Sequence, residues 1–343
     1  MTTDDSNITR PPVVSVIVPT HNYGTFISET LKSLQRQTVA DWECLVVDDG
    51  STDDTAEVVA RFAEREPRLR YVWQENQRQA VAKNTGLAGA RGKYVQFLDA
   101  DDLIESHKLE RQIAYLEEHP EVDIVYGGVR YFRTPNPDER LYSMGEDNLP
   151  WMPEVSGDGR GVLEDLVHNN IMVINSPMIR RSIVGEVGLF DARLPPAEDW
   201  DYWLRCAVAG KSFQFLEMQD SLALVRIHSR SSSQNRLLMY KANVLIRKKL
   251  ATLIKDKALL ALNRELRAKD EEELGILEAA REGSLRAMWH LLNSAWLERR
   301  WRWRTKLFAC ALMAPFVSEA VLRSMIASSV TGSVKNLGRK GTV

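Results

Sequence analysis

The sequence has few cysteines, little net charge and no long apolar run, and each of these shortages excludes a class of protein. Its 343 residues include three widely spaced cysteines and no CxxC pair, so a disulfide framework is not expected and a reducing cytoplasm fits. The 45 basic and 47 acidic residues leave a net charge of −2, which argues against nucleic acid as a partner. No uncharged apolar stretch reaches the roughly 18 residues of a membrane-spanning helix.

The N-terminal residues MTTDDSNITRPP are too polar and acidic for a signal peptide, and residues 1–12 are predicted to be flexible. The GxxxxGK[ST] and GxGxxG phosphate-binding patterns are also absent. Apolar residues (44%) and charged residues (27%) occur in the proportions of a globular protein. At this length we expect more than one typical domain, or a large domain with an extension.

Short apolar strands and amphipathic helices alternate five times between Val13 and Tyr126. This alternation predicts an α/β fold with a mostly parallel sheet and helices on its faces. Polar clusters follow three of the strands, at Thr20–Asn22, Asp48–Ser51 and Asp99–Asp102. Because ligands of such sheets bind at the carboxyl ends of the strands, we expect these three loops to converge on one crevice. Residues 133–161 are interpreted as a long loop.

The DADD cluster carries the clearest chemistry. Asp99 and Asp101 are spaced so that both carboxylates can face one hard cation, and Mg²⁺ or Mn²⁺ commonly joins one or two carboxylates to substrate phosphates. Asp102 could instead cap the following helix. The acidic DDGSTDDT loop disfavours direct phosphate binding, but a carboxylate there could accept a hydrogen bond from a nucleoside.

Two later clusters add candidate residues. Glu198 and Asp199 precede Trp200 at a predicted helix start, where an acidic pair either complements the helix dipole or supplies a general base. The segment VRIHSRSSS combines Arg226, His228 and Arg230 with serines, a composition suited to a diphosphate, although a lone histidine is more often structural.

Five segments in this order resemble the motifs of family 2 glycosyltransferases: PTHNY, WECLVVDDGSTDDT, NQRQAVAKNTGLAGARGKYVQFLDADD, FDARLPPAEDWDYWLR and VRIHSRSSS. They cover about residues 13–233, which the resemblance marks as the catalytic domain. It implies the GT-A fold, a nucleotide-sugar donor, a Mn²⁺ or Mg²⁺ cofactor and inversion at the anomeric carbon, although the DxD motif alone also serves retaining enzymes. A UDP-sugar is the preferred donor.

The resemblance also implies roles for individual residues. It makes Asp199 the catalytic base with Glu198 as its support or an acceptor contact, and it makes Asp101, Asp99 and His228 the metal site, where His228 could alternatively hold the phosphates. The predicted donor-binding residues are Thr20, Asn22, Asp48, Asp49, Lys83, Asp99, Asp102 and Arg226.

Two positions depart from the family's pattern. Many relatives have glycine where Arg78 stands and arginine where Lys83 stands. Lys83 keeps the positive charge but loses the bidentate geometry of a guanidinium. Arg78 could add a phosphate contact or narrow the pocket.

Residues 234–306 are predicted to form a helical extension and residues 307–343 an amphipathic basic tail. From Arg299 onward nine basic residues face one acidic residue, and Trp296, Trp301 and Trp303 lie among five of them. This pattern favours peripheral contact with an anionic membrane at its inner face, or with a lipid-linked acceptor, in cell-surface polysaccharide synthesis. Docking of the tail on the catalytic domain is the structural alternative. For the whole chain, the alternatives are a sugar-nucleotide nucleotidyltransferase and a non-catalytic sugar-nucleotide-binding module.

Overall fold

The structure, a computed structural model, describes residues 10–327 except 135, 146, 195, 218, 232–234, 283–284 and 299–300. Most of the predicted flexible N-terminus and residues 328–343 of the predicted tail lie outside these residues. The chain divides into two compact units, Met1–Ser231 and Ser232–Val343.

The first unit is built on two β-sheets. Its strands are β1 Val14–Thr20, β2 Trp42–Asp49, β3 Leu69–Gln74, β4 Tyr94–Phe97, β5 Leu103–Ile104, β6 Ile124–Gly127, β7 Val129–Arg133, β8 Asn136–Leu141, β9 Gly157–Asp158, β10 Met178–Arg180, β11 Ser212–Leu216 and β12 Ala223–Ile227. Its helices are α1 Gly24–Gln35, α2 Thr55–Ala63, α3 Gln79–Gly89, α4 Lys108–Glu118, α5 Gly159–His168, α6 Ile183–Val187 and α7 Glu198–Val208.

The larger sheet has the strand order β3-β2-β1-β4-β10-β6-β11-β9. β1 to β4 run parallel, β10 runs antiparallel to both of its neighbours, and β11 is parallel to β6. Every residue of β1 and β2 is buried, as expected for strands covered on both faces. The predicted mostly parallel α/β sheet with flanking helices is therefore confirmed.

Helix α3 approaches the sheet closely because its residues are small. A Cβ atom added to Gly86 would lie 2.3 Å from Cγ2 of Ile17 in β1, so only glycine allows this separation. This contact determines where α3 places its side chains above the carboxyl ends of the strands.

The interpretation of residues 133–161 as a long loop is wrong in part. β7 and β8 form an antiparallel hairpin in the smaller sheet, whose strand order is β5-β12-β7-β8. The prolines at 135 and 137 disfavoured a strand in the sequence. β8 is the last strand of its sheet, and prolines are tolerated in such edge strands.

The second unit is helical in its described residues, with α8 Arg236–Leu253, α9 Lys257–Glu282, α10 Leu285–Leu297, α11 Trp301–Met313, a 3₁₀ turn Ala314–Phe316 and α12 Glu319–Ala327. Its apolar core includes Leu291, Leu307 and Leu322. Glu271 is fully buried there and accepts from His290 Nδ1 at 2.5 Å. Across the described ranges, no helix is both long enough and apolar enough to traverse a bilayer.

Candidate functional site

The segments that follow β1, β2 and β4 contact one another at the edge of the sheet where the crevice was predicted, and this region is called the crevice below. Asn22 Oδ1, after β1, accepts from the backbone N–H groups of Thr52 and Asp53, after β2, at 2.7 and 3.2 Å. Thr30 Oγ1 in α1 donates to the carbonyl of Ala100, after β4, at 2.9 Å. The three predicted polar loops therefore come together at one edge of the sheet.

Two buried carboxylates end β2. Asp49 accepts from Gln74 Nε2 at 2.6 Å and from the backbone N–H groups of Gln77 and Arg78 at 2.9 and 2.7 Å. Asp48 accepts from the Tyr71 hydroxyl at 2.7 Å. Three of about four acceptor positions on Asp49 are therefore used by the protein.

Thr20, the last residue of β1, has an unsatisfied hydroxyl. The side chain is buried, with 3% of its surface exposed. Within the described part of the chain its Oγ1 has no hydrogen-bond partner. Because it lies at the carboxyl end of a parallel strand, where ligands of such sheets bind, this hydroxyl is a candidate contact for a bound molecule.

Arg78 adopts a backbone conformation that normally requires glycine. Its φ is 75° and its ψ is 166°, immediately before α3. Side chains other than glycine are strained in this region by about 1–3 kcal/mol. The hydrogen bond from its N–H to Asp49 helps to hold the strained turn, and the side chain is exposed at the crevice.

The DADD loop is held from behind by Asn175. Its Oδ1 accepts from the backbone N–H of Asp99 at 2.7 Å, and its Nδ2 donates to Asp102 Oδ2. Burial raises the pKa of Asp99 to about 7, with Lys83 opposing and the charge of Asp101 adding to the shift. Burial and the neighbouring Asp101 and Asp99 carboxylates raise the pKa of Asp102 well above its usual value. The loop thus concentrates carboxyl groups in a buried environment that disfavours their ionisation unless a positive charge is bound beside them.

A buried lysine supports the same region through hydrogen bonds to two side-chain amides and one backbone carbonyl. Lys108 Nζ donates to Gln96 Oε1 at 2.7 Å, to Gln112 Oε1 at 2.7 Å and to the carbonyl of Ser176 at 2.9 Å. Gln96 in turn donates to the carbonyl of Asn175 at 2.9 Å. Burial lowers the pKa of Lys108 well below its usual value.

Asp101 faces the other side of the crevice, toward the loop after β12. Its Oδ2 lies 2.6 Å from Nε2 of His228. The Arg230 N–H donates to Nδ1 of the same ring at 3.2 Å, which assigns the ring proton to Nε2. Arg230 is exposed, lies over the rings of Tyr23 and Phe26, and donates to the carbonyl of Asn22 at 3.2 Å.

Arg226, one of the predicted donor-binding residues, is buried, and its guanidinium is held by contacts within the protein. Its guanidinium donates to the Asp101 carbonyl at 2.7 Å, to Thr134 Oγ1 at 2.6 Å and to Glu29 at 2.7 Å, and 1% of its side chain is exposed. Its backbone N–H also donates to Asp102. These contacts fix the DADD loop, so Arg226 is in a structural position and Arg230 is the exposed guanidinium of this segment.

The residues predicted to hold a metal supply only part of a coordination shell. They fit a site at which substrate phosphates and water would provide the remaining ligands. Asp101 and His228 are in contact, whereas Asp99 Oδ1 accepts from Gln79 Nε2 at 2.9 Å. Among the residues that the structure covers, no three His, Cys, Asp or Glu side chains cluster closely enough to hold an ion alone. Mg²⁺ and related ions commonly take one or two carboxylates and complete their shell with phosphates and water.

Lys83 joins the two halves of the crevice. From α3, its Nζ donates to Glu198 Oε1 at 2.6 Å, and both side chains are almost completely buried. Burial disfavours the charged amine, but the carboxylates of Glu198, Asp99 and Asp199 outweigh it and raise the pKa of Lys83. The lysine is therefore close enough to both acidic clusters to balance their charge.

Asp199 lies in the first turn of α7 and is oriented by Asn170. Asn170 Nδ2 donates to Asp199 Oδ2 at 3.1 Å, and the N–H of Trp200 donates to Oδ1 at 2.8 Å. Burial and then the charge of Glu198 raise the pKa of Asp199 to about 6, against the opposing charge of Lys83. Such a carboxylate can accept a proton near neutral pH.

Asn170, Asn175 and Gln79 were not identified from the sequence. Asn170 and Asn175 flank the apolar residues IMVI, which precede the strand β10. The position of Asn175 at the end of an apolar stretch could have indicated its role, because a buried side-chain amide needs hydrogen-bond partners inside the protein.

Comparison with known proteins gives a consistent result. The profile described as "Glycosyl transferase family 2" matches residues 15–187. The putative teichuronic acid biosynthesis glycosyltransferase TuaG of Bacillus subtilis is 30% identical over 227 residues, covering 66% of this chain and 83% of TuaG. A PGL/p-HBAD biosynthesis glycosyltransferase of Mycobacterium bovis is 32% identical over 200 residues, which is 57% of this chain and 70% of that protein.

Solved structures share the fold at lower identity. S. aureus TarS 1-349 in complex with UDP-GlcNAc has a TM-score of 0.66 at 18% identity, covering 93% of this chain and 92% of TarS 1-349. The mannosyltransferase PcManGT from Pyrobaculum calidifontis, in complex with GDP-Man and Mn²⁺, has a TM-score of 0.57 at 24% identity, covering 94% and 89%. The architecture is the Rossmann-like GT-A fold with additional C-terminal helices, as the sequence predicted.

Proposed function

Because the chain belongs to glycosyltransferase family 2, we propose that it is a metal-dependent, inverting enzyme that moves a sugar from a UDP-sugar to a hydroxyl group of a glycan or lipid-linked acceptor. The observation that carries this proposal is the placement of buried Lys83 between the DADD loop and the Glu198–Asp199 pair. The DADD loop, which we assign to the nucleotide sugar, and a carboxylate that can accept a proton therefore lie in one crevice.

On the donor side, we assign the nucleoside to the end of β1 and β2 and the diphosphate to the region of Asp101 and Arg230. The unpaired Thr20 hydroxyl supports the first assignment. The exposed guanidinium of Arg230, which lies over the rings of Tyr23 and Phe26, supports the second, since charged donors bind phosphate oxygens strongly. The TarS and PcManGT complexes, with UDP-GlcNAc and with GDP-Man and Mn²⁺, support a nucleotide sugar as the ligand class.

Asp101 and His228, with Asp99 nearby, would hold the divalent ion, Mn²⁺ or Mg²⁺. When bound, such an ion supplies positive charge that offsets the charge growing on the departing diphosphate. Burial, followed by the charges of Asp101, Glu198 and Asp199, raises the pKa of Asp99 to about 7, and a cation at this place would favour the ionised carboxylates.

On the acceptor side, Asp199 would remove the proton from the attacking hydroxyl group. The acceptor oxygen then forms a bond to the anomeric carbon as the bond to the diphosphate breaks, which inverts the configuration. Glu198 holds Lys83 close to Asp199, and Asn170 sets the orientation of the carboxylate. The named relatives, which include a teichuronic acid enzyme, support an acceptor in cell-surface polysaccharide synthesis, reached from the inner face of the membrane.

The first test is calorimetric titration with UDP and with GDP, each in Mn²⁺ and in EDTA. We expect UDP to bind in Mn²⁺ only. The Arg230→Ala variant should bind UDP about tenfold more weakly, since a charged hydrogen bond contributes roughly 1.5–3 kcal/mol. Arg193→Ala, which removes an exposed guanidinium paired with Asp191, is the matched control.

Equal UDP binding in Mn²⁺ and EDTA would contradict the metal role, and unchanged binding by Arg230→Ala would contradict the phosphate assignment. Product analysis with a UDP-sugar distinguishes the alternative enzyme class. A glycosyltransferase releases UDP, whereas a nucleotidyltransferase consumes or forms pyrophosphate.

The two asparagines predict separable defects. Asn170→Ala should lower kcat about 10- to 100-fold with UDP affinity retained, because it removes one hydrogen bond to a charged carboxylate. Asn175→Ala should weaken Mn²⁺-dependent UDP binding about tenfold or more, because it frees the DADD loop. Steady-state kinetics and calorimetry measure the two effects.

Melting temperatures control for general damage, since Asn175 is buried. Equal losses of kcat and UDP affinity in both variants would show that these residues only stabilise the fold. Asn263→Ala, which alters a buried asparagine of the helical unit, provides a control for the loss of a buried amide.

A further inference from the structure

Helix α11 and the 3₁₀ turn after it present one continuous exposed stripe. Phe308, Leu312 and Phe316 have 54%, 56% and 81% of their surfaces exposed and follow one another at intervals of four residues. The same segment buries Leu307, Cys310 and Ala314 in the helical core. One face of α11 is therefore fixed by packing, while the opposite face holds large apolar side chains in water.

The charges that precede this stripe in the sequence are positive. Exposed Arg304 continues the stripe one turn before Phe308, and residues 299–306 contain five basic and no acidic residues. The acidic residue of this region, Glu319, is paired with Arg323 at 2.8 Å. Phosphate headgroups and acyl chains together complement such a surface, since they offer negative charge beside apolar material.

We propose that the stripe Phe308–Leu312–Phe316 is a docking surface for an anionic lipid bilayer, with α11 lying in the plane of the headgroups. This extends the membrane contact of the proposed function by naming the surface that makes it. At about 1.5 Å per residue the stripe is roughly 12 Å long along the helix axis. Its side chains could therefore insert shallowly, side by side, into one leaflet of the bilayer. A second copy of the chain fits less well, because symmetric pairing of this face would bring the two basic clusters together.

The membrane test is flotation of the full chain with vesicles, which needs no catalytic activity. We expect binding to vesicles of phosphatidylglycerol and phosphatidylcholine, much weaker binding to phosphatidylcholine alone, and weakening in high salt. The variant Leu312→Glu with Phe316→Glu should partition at least tenfold less. Leu149→Glu, which changes a 61% exposed leucine of the other unit, should bind as the wild type does.

Two results would overturn the proposal: absence of the wild type from phosphatidylglycerol vesicles, or equal flotation of the stripe variant. Light scattering separates the competing explanation. If the wild type forms a dimer that the stripe variant does not, and the wild type does not bind vesicles, the stripe is a surface for self-association. Glycosyl transfer to a water-soluble acceptor remains a separate measurement, so failure of docking and failure of catalysis are distinguishable.

Discussion

Replacing Asp199 by asparagine is expected to lower kcat by about 10²–10⁴-fold, the usual contribution of a general base. Asparagine preserves the size of the side chain, and its single amide oxygen can still accept one of the two hydrogen bonds that Asp199 accepts from Asn170 and from the N–H of Trp200. It cannot take a proton from an acceptor hydroxyl. UDP affinity and melting temperature should therefore remain close to those of the wild type.

The pH dependence of kcat gives a second readout of the same residue. Burial and the charge of Glu198 raise the pKa of Asp199 to about 6, and the base acts only when ionised. The wild-type rate should thus be level above this pH and fall about tenfold per unit below it. The asparagine variant should lack this acidic limb.

Glu186→Gln is the control for Asp199, since Glu186 is an exposed carboxylate paired with Lys211. It should retain the wild-type rate and pH profile. A normal kcat in Asp199→Asn, or a defect confined to UDP affinity, would remove the role of general base from this residue.

Replacing Asp101 by alanine is expected to have the larger effect, a loss of kcat/KM above about 10⁴-fold. The substitution removes a predicted metal ligand and the partner of His228 at once. It therefore affects donor binding and the stabilisation of the leaving group together, whereas Asp199 affects proton removal. Calorimetry should show that UDP binding no longer responds to Mn²⁺.

The Asp101→Asn variant refines this result. Its amide can keep a hydrogen bond to His228 but carries no charge, so a defect similar to that of alanine would identify charge as the important property. Asp41→Ala, at an exposed position before β2, is the control. Retention of Mn²⁺-dependent UDP binding in Asp101→Ala would overturn the assignment.

The sheet could be predicted because its signals are local. β1 and β2 are mostly apolar runs that end in polar residues, and such runs favour buried parallel strands wherever the remainder of the chain lies. The meeting of the three loops then follows from sheet geometry, since parallel strands end at the same edge. The helix α4 also follows from a local pattern, because its buried apolar residues Leu109, Ile113 and Leu116 have helical spacing.

The choice between Arg226 and Arg230 could not be predicted. Both arginines lie in one short segment, and their exposure depends on residues distant in the chain. Arg226 is enclosed by the rings of Phe26 and Phe132 and paired with Glu29. Likewise, the support that Asn175 gives to the DADD loop could not be predicted, because its position behind Asp99 depends on the pairing of β10 with β4.

The strained backbone at the crevice has a consequence for how this enzyme would respond to selection for heat resistance. Arg78 and Ala197, which precede α3 and α7, both have positive φ, and glycine would relieve each position. Total stabilities of about 5–15 kcal/mol make such relief large. A screen that rewards survival on heating alone would therefore enrich substitutions at these two turns, and it would loosen the entry points of the helices that carry Lys83 and Asp199.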